Sequence, residues 1–196
     1  MRAVPNQVRS IPLAGILRHC PVCGALIDAV APVVCRACGA EHWRNAKPCA
    51  GGLVTRDGRI LLVRRAIDPW RGCWDIPGGF CDGDEHPQQT VVRELREEVG
   101  LDVAVTGLLG IWMDTYGASG GEAAADATMN CYYHAMPLDD SDPVVDLAES
   151  TEAAWFAPDE LPGELAFSDH AGQVLEAWRA AVASDRTRTV GGASSP

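Results

Sequence analysis

The sequence predicts an α/β domain built on a mixed β-sheet, preceded by a small cysteine-rich module. Three observations lead to this prediction: two Cys-X-X-Cys pairs near the start of the chain, short β-type runs after residue 48, and one strongly patterned helix after residue 85. Strands interleaved with few helices favour a mixed sheet covered by helices. The predicted order is an N-terminal extension over 1–17, the cysteine module over 18–47, the main domain over 48–183 and a disordered tail over 184–196.

Four of the eight cysteines form two pairs, and a glycine directly follows each pair: Cys20, Cys23, Cys35 and Cys38. Two residues between thiolates let one tight turn aim both sulfurs at a single ion, so four thiolates predict a closed structural zinc site. Metal binding would supply the folding energy of a module too short to bury a core. Two disulfides in a secreted domain are the alternative, which the lack of a recognisable secretory signal disfavours. His19 and His42 flank the pairs as spare candidate ligands.

The main domain begins with a predicted β-hairpin. Two β-type runs cover 50–55 and 59–64, and Asp57-Gly58 between them is a strong turn signal. The other predicted elements, besides the central helix, are strands over 101–113 and 129–136, a loop over 117–127 and a terminal helix over 169–183.

The central helix has clear ends and an apolar stripe. Pro87 suits its first turn and Gly100 suits its C-terminal stop. At about 100° per residue, four apolar residues fall in one sector and predict a buried face. These residues are Val91, Val92, Leu95 and Val99.

Three glutamates, Glu94, Glu97 and Glu98, share the side of the helix next to this stripe. Like charges at these spacings destabilise a helix by about 0.2–0.5 kcal/mol per pair, and the helix dipole disfavours anions near the C-terminus. A solvated acidic face, partly neutralised by Arg93, is one interpretation. The other is a divalent-cation site, because Mg²⁺ takes carboxylates, waters and substrate phosphates as ligands.

The residues around this helix resemble a known motif. The pattern Gly79-x5-Glu85-x7-Arg93-Glu94-Leu95-Arg96-Glu97-Glu98-Val99-Gly100-Leu101 is similar to the Nudix box at every defined position. The resemblance extends over about residues 48–183 and implies a Nudix αβα sandwich with a mixed β-sheet. The cysteine module resembles the zinc ribbons that precede this domain in a subset of Nudix hydrolases.

The resemblance implies an enzyme that hydrolyses a nucleoside diphosphate linked to another group, using Mg²⁺ or Mn²⁺. Carried over by position, Glu94, Glu97 and Glu98 would bind the metal, and Arg93 would orient Glu94. Metal ions neutralise phosphoryl oxygens and lower the pKa of bound water, and a nearby carboxylate takes the proton.

Further roles follow from the same resemblance. Glu85 would stabilise the loop–helix–loop and could reach the metal through water, while Gly79 would allow close backbone approach and offer its carbonyl as a ligand. The general base would be Glu94 or Glu149, with Glu152 a weaker rival. A solvated loop is the alternative interpretation of the last two residues.

The candidate substrates are ADP-ribose, FAD and dinucleoside polyphosphates. Residues 102–135 lack the Ser-Gln-Pro-Trp-Pro-Phe array of NADH-cleaving relatives, which disfavours an NADH pyrophosphatase. Tyr116 resembles the diadenosine-polyphosphate pattern, or is a packed aromatic. Arg64 and Arg65 are candidate phosphate contacts, or solvated arginines. An RNA-cap-type hydrolase and a non-catalytic nucleotide sensor are the remaining alternatives.

The charge distribution limits the partners. The net charge is −11, from 16 basic and 27 acidic residues, and residues 49–184 alone carry −16. An acidic body repels nucleic acid and anionic membranes. No apolar run approaches the roughly 18 residues of a spanning helix. We therefore expect a small nucleotide substrate, no membrane partner and a cytoplasmic location, with a homodimer suggested by the family.

Overall fold

The chain, seen in a computed structural model that describes residues 16–116 and 126–191, divides into two compact units. The first comprises residues 1–46 with 115–127, and the second comprises residues 47–114 with 128–196. Residues 1–15 of the predicted N-terminal extension, residues 117–125 of the loop predicted over 117–127, and residues 192–196 of the predicted tail lie outside the described residues.

The first unit contains two short antiparallel ladders. Strand β1 (Ile16–His19) pairs with β2 (Leu26–Val30), and β3 (Val33–Val34) pairs with β4 (Glu41–His42). One cysteine pair occupies the turn of each ladder. Both turns close with the same hydrogen bond, from the glycine N–H to the carbonyl of the first cysteine at 2.8 Å, and both glycines have a φ of 75°. This left-handed backbone is accessible to glycine at little cost.

Within the described residues, the second unit is built on seven strands. Their bounds are β5 Lys47–Arg56, β6 Arg59–Arg65, β7 Trp74–Asp75, β8 Gly78–Phe80, β9 Val103–Tyr116, β10 Asp126–Pro137 and β11 Ser150–Phe156. The order across the sheet is β11-β6-β5-β10-β9, with β7 beside β6 and β8 beside β5. Strands β5 and β10 are parallel while β5 and β6 are antiparallel, so the predicted mixed sheet is confirmed.

The predicted hairpin joins β5 to β6. Asp57 and Gly58 have φ values of 51° and 72°, the pair of positive angles that a two-residue type I′ turn requires. Strand β11 was not predicted, because its pairing depends on β6, which lies far away in the sequence, and its own residues show no regular alternation.

Two helices cover opposite faces of the sheet: α1 (Pro87–Val99) and α2 (Ser168–Gly191). Side chains that alternate along β5 and β6 point to opposite faces. The α1 side buries Val91, Leu95 and Val99 of the helix with Val54, Leu61 and Val63 of the sheet. The α2 side buries Val174, Leu175 and Trp178 with Leu53, Ile60 and Leu62. The αβα sandwich and the apolar stripe of α1 are therefore confirmed, with Val92 packed at the edge of the stripe.

The second helix is longer than predicted. It continues to Gly191, so the prediction of a disordered tail is wrong for residues 184–191. No proline or glycine occurs between Ala183 and Val190, and the backbone hydrogen-bond ladder can therefore propagate. No helix among the described residues has the length and apolar character needed to cross a membrane.

Candidate active site

Helix α1 is fixed at both ends by local hydrogen bonds. The His86 side chain accepts the Gln88 N–H at 3.2 Å, and the Gln89 side chain accepts the His86 N–H at 2.9 Å, which together form a capping box. At the other end Gly100 takes a φ of 67° and donates its N–H to the Arg96 carbonyl at 3.1 Å. Both predicted ends are confirmed. These caps fix where the helix begins and ends, and the packing of its apolar stripe against the sheet sets the direction of its glutamates.

Strand β8 passes α1 at very close range. It pairs with β5 through Gly78, which faces Gly51, and Gly79, which faces Ala50. A Cβ atom at Gly79 would overlap the carboxylate of Glu94, and one at Gly78 would overlap the Ala50 carbonyl. Only glycine fits at both positions, so the backbone of β8 lies directly against the predicted metal ligands.

Arg93 links three carboxylates and one carbonyl. It binds Glu85 in a bidentate manner, with Nε–Oε1 at 3.0 Å and Nη2–Oε2 at 2.9 Å. Its Nη1 donates to Glu94 Oε1 at 2.9 Å and to Glu97 Oε2 at 3.0 Å, and its Nη2 donates to the Phe80 carbonyl at 3.1 Å. These bonds to Arg93 lower the pKa of Glu85 to about 2. Arg93 thus ties the loop before α1 to the helix itself.

Glu98 is buried, with 8% of its surface exposed. The Gly78 N–H donates to its Oε2 at 3.2 Å, and the Ser150 hydroxyl donates to its Oε1 at 2.8 Å. Burial raises the pKa of Glu98 to about 7, and the negative charges of Asp75 and Glu149 act in the same direction. The helical pattern placed this residue beside the apolar stripe, and the structure places it inside the core.

Negative charge accumulates between α1 and the start of β11. Burial raises the pKa of Glu94 despite its bond to Arg93, and the charges of Glu149 and Glu97 add to that rise. Glu149 therefore lies within electrostatic range of both Glu94 and Glu98. Protein donors bind both carboxyl oxygens of Glu98 and one oxygen each of Glu94 and Glu97. Among the described residues, only the four cysteines bring three or more ligand atoms within 4.8 Å of one another. Hard oxygen donors with surplus negative charge fit a divalent cation such as Mg²⁺.

Arg65, a predicted phosphate contact, is engaged within the protein. Its Nε donates to the Pro69 carbonyl at 2.9 Å, and its Nη1 binds Asp75 at 3.0 Å. The guanidinium also lies 5.3 Å from the ring centroid of Phe167. Since 15% of the side chain is exposed, these contacts favour a structural role.

Arg64 is more accessible. Its Nε donates to the Gly72 carbonyl at 2.8 Å, and its Nη1 lies 3.8 Å from Glu152 on β11, with 41% of the side chain exposed. Glu152 thus faces an arginine on the neighbouring strand. Tyr116, which resembles the diadenosine-polyphosphate pattern in sequence, ends β9 within the first unit and is half-buried.

Two hydroxyl groups of the site were not predicted. Ser150 has no exposed surface and binds Glu98, and Thr90, equally buried, donates to Glu85 Oε2 at 2.8 Å. Glu85 precedes the helix and lies five residues before Thr90, so the helical spacings of three and four residues do not indicate that contact. Nothing local in the sequence indicates the contact of Ser150, because it joins residues 52 positions apart.

The four cysteines of the first unit converge on one point. Two Sγ–Sγ distances, Cys20–Cys38 and Cys23–Cys35, are 3.7 Å, and all four sulfurs lie within 4.8 Å of one another. A tetrahedral zinc with Zn–S bonds of about 2.3 Å requires sulfurs about 3.8 Å apart, so the cluster fits that ion. The His42 Nε2 lies 3.2 Å from Cys20 Sγ, which places the imidazole against one thiol rather than among the four ligands.

Comparisons with known proteins agree with this architecture. The profile of the NUDIX domain family matches residues 46–177. An ADP-ribose pyrophosphatase of Methanocaldococcus jannaschii is 43% identical over 61 residues, which cover 31% of this chain and 36% of that protein. The human mitochondrial NAD(P)H pyrophosphatase NUDT13 is 29% identical over 128 residues, 65% of this chain and 34% of that protein. The chain thus spans about a third of the length of these two relatives.

A solved structure gives the same result over its whole length. The MutT NUDIX hydrolase of Burkholderia pseudomallei superposes with a TM-score of 0.59 and 30% identity, covering 68% of this chain and 98% of that structure. The family profile matches more than half of the chain, including α1 with its glutamates and the glycines of β8. The chain therefore belongs to the Nudix hydrolase family, and residues 46–177 form its Nudix domain.

Proposed function

We propose that this protein is a Mg²⁺- or Mn²⁺-dependent pyrophosphohydrolase that cleaves the phosphoanhydride of a nucleoside diphosphate linked to a second group. The proposal rests on Glu94, Glu98 and Glu149. Their negative charges repel one another in a partly buried site, and Arg93 neutralises only part of this negative charge. A divalent cation relieves this repulsion and neutralises phosphate oxygens at the same place.

Each residue of the site has a separate role in this proposal. Glu94, Glu97 and Glu98 hold the metal, with the Gly79 carbonyl as a further candidate ligand. When bound, the metal supplies charge neutralisation at the phosphates and a water of lowered pKa. Arg93 orients Glu94 through the bond at 2.9 Å, and Glu85 holds Arg93 in place.

Glu149 is the better candidate for the general base. Arg93 occupies Oε1 of Glu94, whereas the side chain of Glu149 is exposed and lies close enough to influence Glu94 and Glu98. A base must reach the proton that it removes. The backbone of Glu149 is fixed, since its carbonyl accepts the Ala66 N–H at 2.7 Å and its N–H donates to Asp146 at 3.1 Å.

We propose that the substrate is ADP-ribose, FAD or a dinucleoside polyphosphate. The relative named an ADP-ribose pyrophosphatase supports the first of these. An NADH pyrophosphatase is the second candidate function, favoured by the similarity to the relative named an NAD(P)H pyrophosphatase. A cytoplasmic location and a homodimer stay predictions.

A substrate panel tests the function. ADP-ribose, FAD, diadenosine polyphosphates, NADH, nucleoside triphosphates and a capped RNA are incubated with the protein and Mg²⁺ or Mn²⁺, and products are resolved by chromatography. Release of a nucleoside monophosphate that EDTA abolishes supports the proposal, and the preferred compound identifies the substrate. Cleavage of none of them, or cleavage that EDTA leaves unchanged, overturns it. Tight binding of an uncleaved nucleotide would instead identify a sensor.

The cysteine cluster is proposed to hold structural zinc. We expect about one tightly bound zinc per chain in protein purified under reducing conditions without chelators, because the four sulfurs match a tetrahedral site. Elemental analysis measures it. A Cys23→Ser/Cys38→Ser variant should lose the metal, a Cys73→Ser variant should keep it, and wild-type protein without zinc would contradict the assignment.

Replacing Ser150 by alanine should weaken the metal site. The change removes the buried hydroxyl that donates to Glu98 at 2.8 Å, and loss of such a supporting contact lowers metal affinity about 10–100-fold. Mn²⁺ titration by calorimetry measures the effect. Ser141→Ala, a change at an exposed serine, is the matched control. Equal affinities of the two variants would show that Ser150 does not support Glu98.

Metal binding should depend on pH through Glu98. In the metal-free protein its pKa is raised to about 7, so a proton must leave when a cation binds below that pH. Affinity for Mn²⁺ should rise up to about tenfold per pH unit towards pH 7 and level off above it. The same shift makes the metal-free fold less stable as the pH rises from the unfolded value of 4.5 through about 7.

Calorimetry in two buffers of different ionisation enthalpy counts the released protons. We expect about one proton per metal near pH 6 and almost none near pH 8. Glu98→Gln is the control, since it removes the titrating group. A proton count that is the same at both pH values would contradict the assignment of Glu98 as a ligand.

A further inference from the structure

On the α2 side of the sheet, three polar side chains from three different elements form a hydrogen-bonded chain, of which two members are buried and the third is partly buried. Tyr132 Oη of β10 lies 2.8 Å from His170 Nε2 of α2, and His170 Nδ1 contacts Asp114 of β9. Tyr132 is 7% exposed and His170 is 5% exposed, within a cluster of aliphatic and aromatic residues. Buried polar groups cost free energy unless they are hydrogen-bonded, and a phenylalanine would fill nearly the same volume as Tyr132. Packing alone does not account for this chain.

The chain holds the Tyr132 ring in one orientation. Burial raises the pKa of Tyr132 well above its usual value, so the hydroxyl keeps its proton. In a neutral imidazole whose Nδ1–H points at Asp114, Nε2 accepts the bond from the Tyr132 hydroxyl. The Trp112 ring packs edge-on against Tyr132, with centroids 5.8 Å apart. The phenol is therefore constrained at its hydroxyl and along its side.

The Tyr132 ring lies close against the backbone of β5. Tyr132 is the register partner of Gly51, and a Cβ atom at Gly51 would lie 2.6 Å from Tyr132 Cε1. On the other face of the sheet, a Cβ atom at Gly52 would lie 2.7 Å from Leu95 Cδ1 of α1. Glycine in a strand marks a close approach to the backbone. Strand β5 is thus clamped between the Tyr132 ring and α1.

The clamped part of β5 carries the segment that contacts the glutamates. Gly51 faces Gly78 across the ladder, and the Gly52 N–H donates to the Pro77 carbonyl at 2.9 Å. The Gly78 N–H in turn donates to Glu98 at 3.2 Å. A short series of contacts therefore connects the Tyr132 ring to the carboxylate of Glu98.

We propose that Tyr132, held by His170 and Asp114, is a positioning residue for the metal-binding glutamates. It fixes the position of β5 against α1 and thereby aligns the Gly78 N–H with Glu98 and the Gly79 backbone with Glu94. The inference rests on the proposed function in one respect, namely that Glu98 binds the metal.

Tyr132→Phe is the test variant, and Tyr133→Phe is its control. Tyr133 is the next residue of β10, is also 7% exposed, and packs in the opposite, α1-side cluster. Amide hydrogen exchange of Gly52 and Gly78 is measured by NMR in the metal-free proteins, and Mn²⁺ affinity by calorimetry. We expect Tyr132→Phe to accelerate exchange at both glycines and to weaken Mn²⁺ binding about tenfold, while Tyr133→Phe changes neither.

A second variant, His170→Gln, keeps the Tyr132 ring and removes the imidazole that binds its hydroxyl. We expect it to accelerate amide exchange at Gly52 and Gly78 and to weaken Mn²⁺ binding, both by less than Tyr132→Phe does. If Tyr132→Phe and Tyr133→Phe exchange and bind Mn²⁺ alike while the wild type hydrolyses its substrate, the inference is overturned and the proposed function stands. If the wild type binds no Mn²⁺ and cleaves nothing in the panel, the proposed function is overturned, and with it the positioning of a metal site.

Discussion

A Glu97→Gln/Glu98→Gln variant is expected to lose metal-dependent hydrolysis by about 10³-fold or more. The two changes remove two of the three negative charges proposed to hold the cation, and metal stabilisation of the developing phosphate charge amounts to several kcal/mol. The fold should survive. Glu98 is buried with a pKa of about 7, and an uncharged amide of the same shape avoids that desolvation. Because the Ser150 hydroxyl can accept as well as donate, it can still pair with the amide.

Two measurements separate function from folding in this variant. Turnover is followed with the preferred substrate of the panel, and thermal unfolding is followed without metal. Glu160→Gln/Glu176→Gln is the matched control, since both residues are exposed partners of surface arginines and the change in net charge is the same. Wild-type turnover in the Glu97→Gln/Glu98→Gln variant would refute the assignment of the site.

Arg93→Lys should reduce kcat/KM by about 10²-fold although the positive charge is kept. The guanidinium makes five hydrogen bonds, to Glu85, Glu94, Glu97 and the Phe80 carbonyl. A lysine ammonium is a compact charge that cannot reproduce this planar, divergent set of donors. Contacts that orient metal ligands are worth about 10–100-fold in activity. The loss should appear together with weaker Mn²⁺ binding.

Arg96→Lys, one turn further on the same helix, controls for the substitution itself. Its ion pair with Asp102 is exposed, so its stability and activity should stay within about 0.5 kcal/mol of wild type. Similar kinetics of the two lysine variants would show that the geometry of Arg93 is not required.

The parts of the site that could be predicted from the sequence are those encoded locally. The glutamates of α1, its caps and its apolar stripe follow from spacings of a few residues, and the hairpin follows from Asp57-Gly58. The burial of Glu98 could not be predicted, because it depends on β11, which pairs with β6 and delivers Ser150.

The end of α2 illustrates another kind of difference. The polar segment over 184–191 has the composition of a disordered tail, yet the helix continues to Gly191 because no proline or glycine interrupts the backbone hydrogen bonds before that residue. Arg65 illustrates a third kind of difference between the sequence-based prediction and the structure. Its residue type suggested a phosphate contact, whereas its partner Asp75 is ten positions away and has only 12% of its side chain exposed, so only the folded chain shows that the pair is largely internal.

The close pairing of β5 with β8 limits which residues of this Nudix domain can be substituted. At Gly51, Gly52, Gly78 and Gly79 even a methyl group would collide with a neighbouring atom. These four positions exclude side chains, so almost any substitution there would displace a neighbouring residue. Side chains are easier to replace at exposed positions such as Arg64 or Trp70, which lie outside the four glycine positions.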